Sequence, residues 1–429
     1  MTTVVLKYKK EESLKRFHPW VFSGAIERIE DAFGDAIQPE EGDWVRVVSQ
    51  KGEFLAIGQY QIGSIAVRIF TFNEAEFNDD FFLHRLQSAY EVRKTLGLIR
   101  PDNNAFRLVH GEGDGLPGLI IDVYDKTAVM QAHTPGIHYI REALAEDLIR
   151  VAGADIRNVY YKSETTLGYK TEAIQTAEAE GESVNGYLII DGKPVASAAE
   201  GKALESSISD VALENGLKFH VDWLKGQKTG FFVDQRENRA LVEKYSAGRS
   251  VLNMFCYTGG FSFYAMRSNA KLVHSVDVSK QAISFTNANV ELNFPGDTRH
   301  AAFAADAFDF LDGKTPGSEF EQGKEGYDLI ILDPPAFAKH RKVLKNALRG
   351  YQRLNAKAFE KIRPGGILFT FSCSQVVTKE DFRCAVFSAA AQSGRRVRIL
   401  HQLHQPADHP INIYHPEGEY LKGLVLYVE

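Results

Sequence analysis

Cysteine is scarce: Cys256, Cys373 and Cys384 are the only three in 429 residues, and their spacing forms neither a paired framework nor a metal-ligand cluster. A disulfide scaffold is excluded, a reducing compartment is expected, and any cysteine role is packing or nucleophilic. No apolar run approaches the roughly 18 residues that a membrane span needs. The opening MTTVVLKYKKEESLKRF shows no apolar stretch ahead of a small-residue cleavage site, so a cytoplasmic protein without membrane attachment is expected. A basic excess is missing too, since the net charge is −6. That argues mildly against a nucleic-acid partner until the distribution of charge is considered.

The distribution is uneven. Lys339, Arg341, Lys342, Lys345, Arg349, Arg353, Lys357, Lys361 and Arg363 fall in one segment interrupted by the single acid Glu360. A second basic stretch opens the chain, where Lys7, Lys9, Lys10, Lys15 and Arg16 interleave with Phe17, His18, Trp20 and Phe22. Cations that hold phosphates beside rings that stack bases are the composition of an RNA surface. An ordinary solvated face has the same composition.

The rest of the chain is arranged around VLNMFCYTGGFSFYAMRSNAKLVHSVD, Val251–Asp277. It reads as a strand, a glycine turn, a helix and a second strand ending in an acid, half of a nucleotide-binding βαβ unit. Gly259 and Gly260 let the backbone pass close to a ligand, and Asp277 can accept two hydrogen bonds from a ribose diol. The turn matches neither G-x-G-x-x-G nor G-x-x-x-x-G-K-[ST], so a diphosphate is poorly served.

Ahead of this unit, residues 1–76 alternate apolar and polar over Trp44–Val48, Phe54–Ile57 and Ile65–Phe70 between glycines, which predicts a small β-rich unit. Asp79–Gly97 has helical spacing, with Phe82, Leu86, Ala89 and Val92 on one face. Phe106–Tyr124 reads as strand, loop and strand; its His110, Glu112 and Asp114 fit a structural turn better than a metal site, and no metal is assigned. A helix over Tyr139–Val151 and a strand over Asn158–Lys162 complete an α+β middle region, and Glu172–Asp210 shows little periodicity beyond GYLII. Leu217–Arg239 reads as a strand, a turn, a second short strand and a helix start, with Asp234 suited to cap the helix.

After the nucleotide unit, Ser279 caps a helix, Ala301–Phe310 gives a strand and the acid Asp306, and Tyr327–Asp333 is a strand buried on both faces. The last ends in DPPAF, whose prolines remove two donors and fix φ, making a stiff ledge beginning at Asp333. Gly365–Ser374 is a fifth strand that brings Cys373 to a carboxyl end in the same crevice. A cysteine there is ordinarily a small apolar filler; next to Asp333 it becomes a candidate nucleophile beside an acid. Val397–Leu403 and Leu421–Val428 close the sheet.

LNMFCYTGGFS with Asp277 resembles the cofactor loop and ribose acid of class I S-adenosylmethionine (SAM)-dependent methyltransferases, although Asn253 stands where that family commonly has an acid. RFHPWVFSGAI resembles the start of PUA domains, RNA-binding pseudo-barrels. FSCS with DPPAF resembles motifs VI and IV of RNA cytosine-5 methyltransferases, and the order of segments is similar to that of the enzymes acting on large-subunit ribosomal RNA. In one departure, Ala336 stands where RNA enzymes with a D-x-P-C motif carry a second cysteine.

The resemblance implies SAM as cofactor, held by Asp234, Gln235, Arg236, Phe255, Tyr257, Thr258, Gly259, Gly260, Asp277, Asp306 and Asp333, with Asp306 taking the adenine amine. It implies catalysis by Cys373 and Asp333 on a cytosine, and ribosomal RNA of the large subunit or its precursor as partner, met by Lys7, Arg16, His18, Trp20, Lys339, Lys342, Lys345 and Arg349. The expected architecture is α/β: a PUA pseudo-barrel over 1–76, a small α+β middle domain and linker over 77–208, and a Rossmann-like methyltransferase domain over 209–429. A homodimer is among the assemblies open to it. Two rival readings remain: a purine N-methyltransferase using DPPAF with Phe337 as a stacking ring, and an RNA-binding assembly factor that keeps the cofactor fold without turnover.

Overall fold

Alternation in the first seventy residues is resolved by a six-stranded sheet. In the computed structural model, which describes residues 1–167, 175, 183–317 and 326–429, its order is Trp20–Phe22, Ile65–Thr71, Phe54–Tyr60, Trp44–Val48, Thr2–Leu6 and Ile26–Glu30. Thr2–Leu6 runs parallel to Trp44–Val48 while the other neighbours are antiparallel. Val4, Leu6, Val45, Val47, Ala56, Val67 and Ile69 point into one core, the inward half of each strand's period-two pattern.

A second six-stranded sheet follows, in the order Lys193–Pro194, Gly186–Ile190, Asn158–Tyr161, Thr127–Ala132, Leu119–Tyr124 and Ala105–His110. Thr127–Ala132, unexpected from the sequence, is buried at every residue. Helices Phe81–Thr95 and Arg141–Ala152 belong to the same core. The buried positions of the first are Phe81, Leu86, Ala89, Tyr90 and Arg93, with Val92 exposed. Leu86 and Ala89 are buried as expected, whereas Arg93, paired with Asp114, goes inward in place of Val92. The beginning of Glu172–Asp210 lies largely outside the described residues; its later part holds Gly186–Ile190 and a helix, Ala198–Leu204, capped by Ser197.

The chain divides into two compact units, Met1–Asn215 with Val221–Val233 and Ala407–Gly418, and Gly216–His220 with Asp234–Pro406 and Glu419–Glu429. Leu217–His220 is a strand as expected, but Phe231–Val233 does not form the second one, and the helix over Arg236–Ser246 starts behind a 3-10 turn.

The second unit holds a seven-stranded sheet. Its strands are β1 (Ser250–Met254), β2 (Leu272–Asp277), β3 (His300–Ala304), β4 (Tyr327–Leu332), β5 (Ile362–Ser372), β6 (Val397–Leu403) and β7 (Lys422–Val428), in the order 3-2-1-4-5-7-6. Strands β1 to β5 are parallel and β7 is antiparallel to both neighbours. Helices are α1 (Arg236–Ser246), α2 (Gly260–Arg267), α3 (Lys280–Asn293), α4 (Ala307–Leu311), α5 (Leu344–Lys361) and α6 (Lys379–Ser393). The order reverses between β1 and β4, and a doubly wound sheet binds its ligand in the crevice beyond the strand ends at such a switch point. Among the described residues no helix is long and apolar enough to cross a membrane.

Candidate active site

Register brings the site together. Met254 lies opposite Val276 on one side and Leu332 on the other, so Phe255, Asp277 and Asp333 each follow at the same level. Leu332 pairs with Thr370, which sets Cys373 just past the end of β5, on the neighbouring strand.

The turn after β1 is wound tightly. Phe255 and Tyr257 have φ of 58° and 49°, left-handed values that a non-glycine residue adopts only under local constraint. Gly259 has φ 88°, and a Cβ built on it would come within 2.5 Å of the Phe263 ring. The constraint comes from Asp277, which accepts the Tyr257 N–H at 3.0 Å and the Ser279 N–H at 2.9 Å, one on each oxygen. The expected ribose acid thus also braces the turn that approaches the ligand. The buried Thr258 hydroxyl has no hydrogen-bond partner among the described residues, as suits a donor reserved for a bound group. Asn253 is buried on β1 and donates to Ser262 at 3.0 Å, inside the joint between strand and helix. Asp306 is exposed and caps α4, accepting from Phe308 N–H at 2.8 Å and Asp309 N–H at 3.2 Å.

Asp234, Gln235 and Arg236 are buried where α1 begins. The cap position of α1 falls on Gln235, and the Asp234 carboxylate accepts the Tyr420 hydroxyl at 2.7 Å. Gln405 in turn accepts the Tyr420 N–H at 3.1 Å. Sequence reasoning missed Tyr420 and Gln405, which carry no motif.

Cys373 is half-buried, its sulfur 4.0 Å from the Pro334 carbonyl, so the thiol stands against the DPPAF turn. That turn is anchored from behind: the Ala338 N–H donates to Ser374 Oγ at 3.2 Å, and the Phe337 ring lies on Tyr351 with centroids 4.6 Å apart. Ser372 Oγ meets the Tyr351 hydroxyl at 2.9 Å, and Lys422 donates to the Ser374 carbonyl at 2.6 Å. Of the other cysteines, Cys384 is exposed on α6 and Cys256 is buried, its thiol pushed up by that burial and by the charge of Asp277. A thiol held in its neutral form is a poor nucleophile.

The basic segment after DPPAF exposes Lys339, Lys342, Lys345 and Arg349, the last two on α5. Its far end is committed internally, Lys357 to Asp312 at 2.9 Å and Arg363 to Asp328 at 3.1 Å. In the first unit Lys7 and Arg16 are exposed. Trp20 is half-buried: its indole donates to Glu112 at 2.8 Å, lies beneath Arg68 and meets His415 with centroids 4.3 Å apart. His18 is turned inward as well, accepting from the Trp20 N–H at 3.3 Å. Glu112 and Asp114 serve as anchors, Glu112 also for Arg68 at 2.6 Å and Asp114 for Arg93.

Residues 162–416 match the family model of S-adenosylmethionine-dependent methyltransferases, and residues 4–72 that of PUA-like domains. Sheet order, the glycine turn after β1 and the acid that ends β2 agree with the first match, and the protein is a methyltransferase that uses SAM. More narrowly, it is 39% identical over 428 residues to the ribosomal RNA large subunit methyltransferase I of Tolumonas auensis, with 99% of each chain covered. The protein of that name from Photobacterium profundum is 37% identical over 433 residues, with all of both chains covered. The chain belongs to the ribosomal RNA large subunit methyltransferase I family. A solved chain from Streptococcus mutans superimposes over its full length with a TM-score of 0.77 at 21% identity, and one solved in complex with SAH gives 0.78 at 21%; both likenesses are of fold.

The turn and Asp277 fit the cofactor, and Asp277→Ala is expected to weaken SAM binding by roughly 1–3 kcal/mol as charged hydrogen bonds are lost. Calorimetry checks this, and unchanged affinity would remove Asp277 from the site.

Proposed function

We propose that the protein methylates C5 of a cytosine in large-subunit ribosomal RNA through a covalent bond between Cys373 and C6. The observation that carries this reading is Cys373 Sγ standing 4.0 Å from the Pro334 carbonyl, a cysteine set against the turn that starts at Asp333. Support for the RNA comes from the names of full-length relatives and from the PUA-like match.

A pyrimidine C5 is a weak nucleophile until something adds at C6. The Cys373 thiolate supplies the electron pair for the S–C6 bond, and Asp333 in its acid form donates a proton to N3 as the ring gains electron density. SAM supplies an electrophilic methyl group that C5 accepts. A base takes the C5 proton, and the freed electron pair restores the C5–C6 double bond and expels the sulfur as thiolate. Asp333 takes back the N3 proton. Phe337, the stacking ring of the purine reading, already has Tyr351 against it. Transfer of labelled methyl groups to unmodified ribosomal RNA, with C5 of cytosine as the product position, tests the proposal. Product on a purine nitrogen would overturn it, and absence of turnover would favour an assembly factor.

RNA affinity is expected to depend on the exposed cations after the ledge. Neutralising Lys342, Lys345 and Arg349 removes up to three phosphate contacts and should lower the slope of log affinity against log salt by roughly 2–3. An identical slope would make the segment an ordinary solvated face.

A further inference from the structure

Lys422 opens β7 opposite Ser372 of β5, one residue before Cys373. It is 5% exposed. Its Nζ donates to the Ser374 carbonyl at 2.6 Å, on the other side of the cysteine, and among the described residues no carboxylate lies within ion-pairing distance of it. A buried ammonium with a single carbonyl as partner is costly, since its charge has been taken out of water without an opposite charge to replace the hydration. Three ionisable groups bear on it. Glu419 is held by Lys379, and Cys373 is the group whose charge bears on Lys422 most. Burial draws Lys422 down to about 8, while the charge of Cys373, then that of Glu419, pulls in the opposite direction and Lys379 adds to the lowering. Of the titratable groups beside Cys373, Asp333 begins the turn that faces it, and Tyr351 is tied to Ser372 and pushed up by burial, so it stays neutral.

We propose that Lys422 is the positioning residue that ionises Cys373: its amine takes the thiol proton, and the ammonium so formed holds the thiolate at the end of β5. The S–H bond breaks with its electron pair left on sulfur, and a new N–H bond forms on Nζ. The assignment rests on Cys373 being the nucleophile of the proposed reaction. It gives that reaction a means of generating a thiolate at neutral pH, which an isolated thiol lacks. When sulfur bonds to carbon its charge disappears, and the ammonium, without its counter-charge, releases the proton to solvent.

The test uses the full chain with Cys256→Ala and Cys384→Ala, so that iodoacetamide reads Cys373 alone, at pH values from about 5 to 10. Lys422→Met should move the midpoint of the alkylation profile up by about one unit or more and slow alkylation at neutral pH about tenfold. Lys422→Arg, permanently cationic, should keep the midpoint low. An unchanged midpoint in a folded Lys422→Met chain would overturn the assignment. Should that variant not fold, the reciprocal measurement decides, because coupling between two sites is mutual. Lys422 in the Cys373→Ala chain should acetylate faster at neutral pH than in wild type, and an equal rate overturns the pairing. Alkylation needs no RNA, so the two readings fail separately. A shifted profile supports the pairing even where cytosine analogues form no adduct, whereas adducts forming at the wild-type rate across pH in Lys422→Met sink the pairing alone.

Discussion

RNA carrying 5-fluorocytosine at the target position is expected to become covalently fixed to Cys373, and Cys373→Ser is expected to abolish both the trapping and methyl transfer while leaving SAM affinity unchanged. Fluorine cannot leave C5 as a cation, so once C5 is methylated the double bond cannot re-form and the thiolate cannot be expelled. The serine hydroxyl, with a far higher pKa than a thiol, does not supply the attacking anion. The cofactor turn is built from β1 and β2, and the serine change leaves both untouched. Cys256→Ala and Cys384→Ala should leave the adduct intact, since one thiol is held neutral beneath the turn and the other is exposed on α6. Denaturing gels read the adduct and mass spectrometry assigns it to a peptide. A Cys373→Ser chain that still methylates C5 would overturn the covalent mechanism, with fold and cofactor unaffected.

The parts of this site that the sequence displays are those whose information is local. A buried parallel strand is a continuous apolar run, a close approach needs glycine at a positive φ, and a stiff ledge needs proline; each is written within a few residues of the function it serves. So Gly259, Asp277, Asp333 and Cys373 could be picked out, and strand register then brought them to one end of the sheet. Lys422 and Tyr420 could not, because their contacts, beside β5 for Lys422 and with Asp234 for Tyr420, join segments far apart in the chain. Trp20 has contacts that an aromatic among lysines does not announce: only the fold reveals its hydrogen bond to Glu112 and the Arg68 guanidinium over its ring. Thr127–Ala132 escaped notice because the buried polar residues Thr127 and Gln131 leave its apolar run only three residues long.

Arg93→Met is expected to cost the first unit about 3–5 kcal/mol, because it strands a buried carboxylate. Arg93 is fully buried, and its guanidinium makes a two-pronged pair with both oxygens of Asp114. It also donates to the carbonyls of Arg107 at 2.8 Å and Asp408 at 2.7 Å, joining the helix Phe81–Thr95 to the sheet and to the Ala407–Gly418 segment of the same unit. Methionine fills much of the volume but offers none of these donors. Asp114 would keep only smaller compensation such as the His110 N–H at 2.6 Å. Trp20, Trp44 and Trp223 are the three tryptophans of the chain and all lie in this unit, so their fluorescence in a urea titration follows its unfolding. The midpoint should fall with the slope unchanged, and adding Asp114→Leu should recover part of the loss, since removing both charges is cheaper than leaving one. A loss below about 1 kcal/mol, or no recovery in the double variant, would show that the pair is not what draws this face of the helix inward.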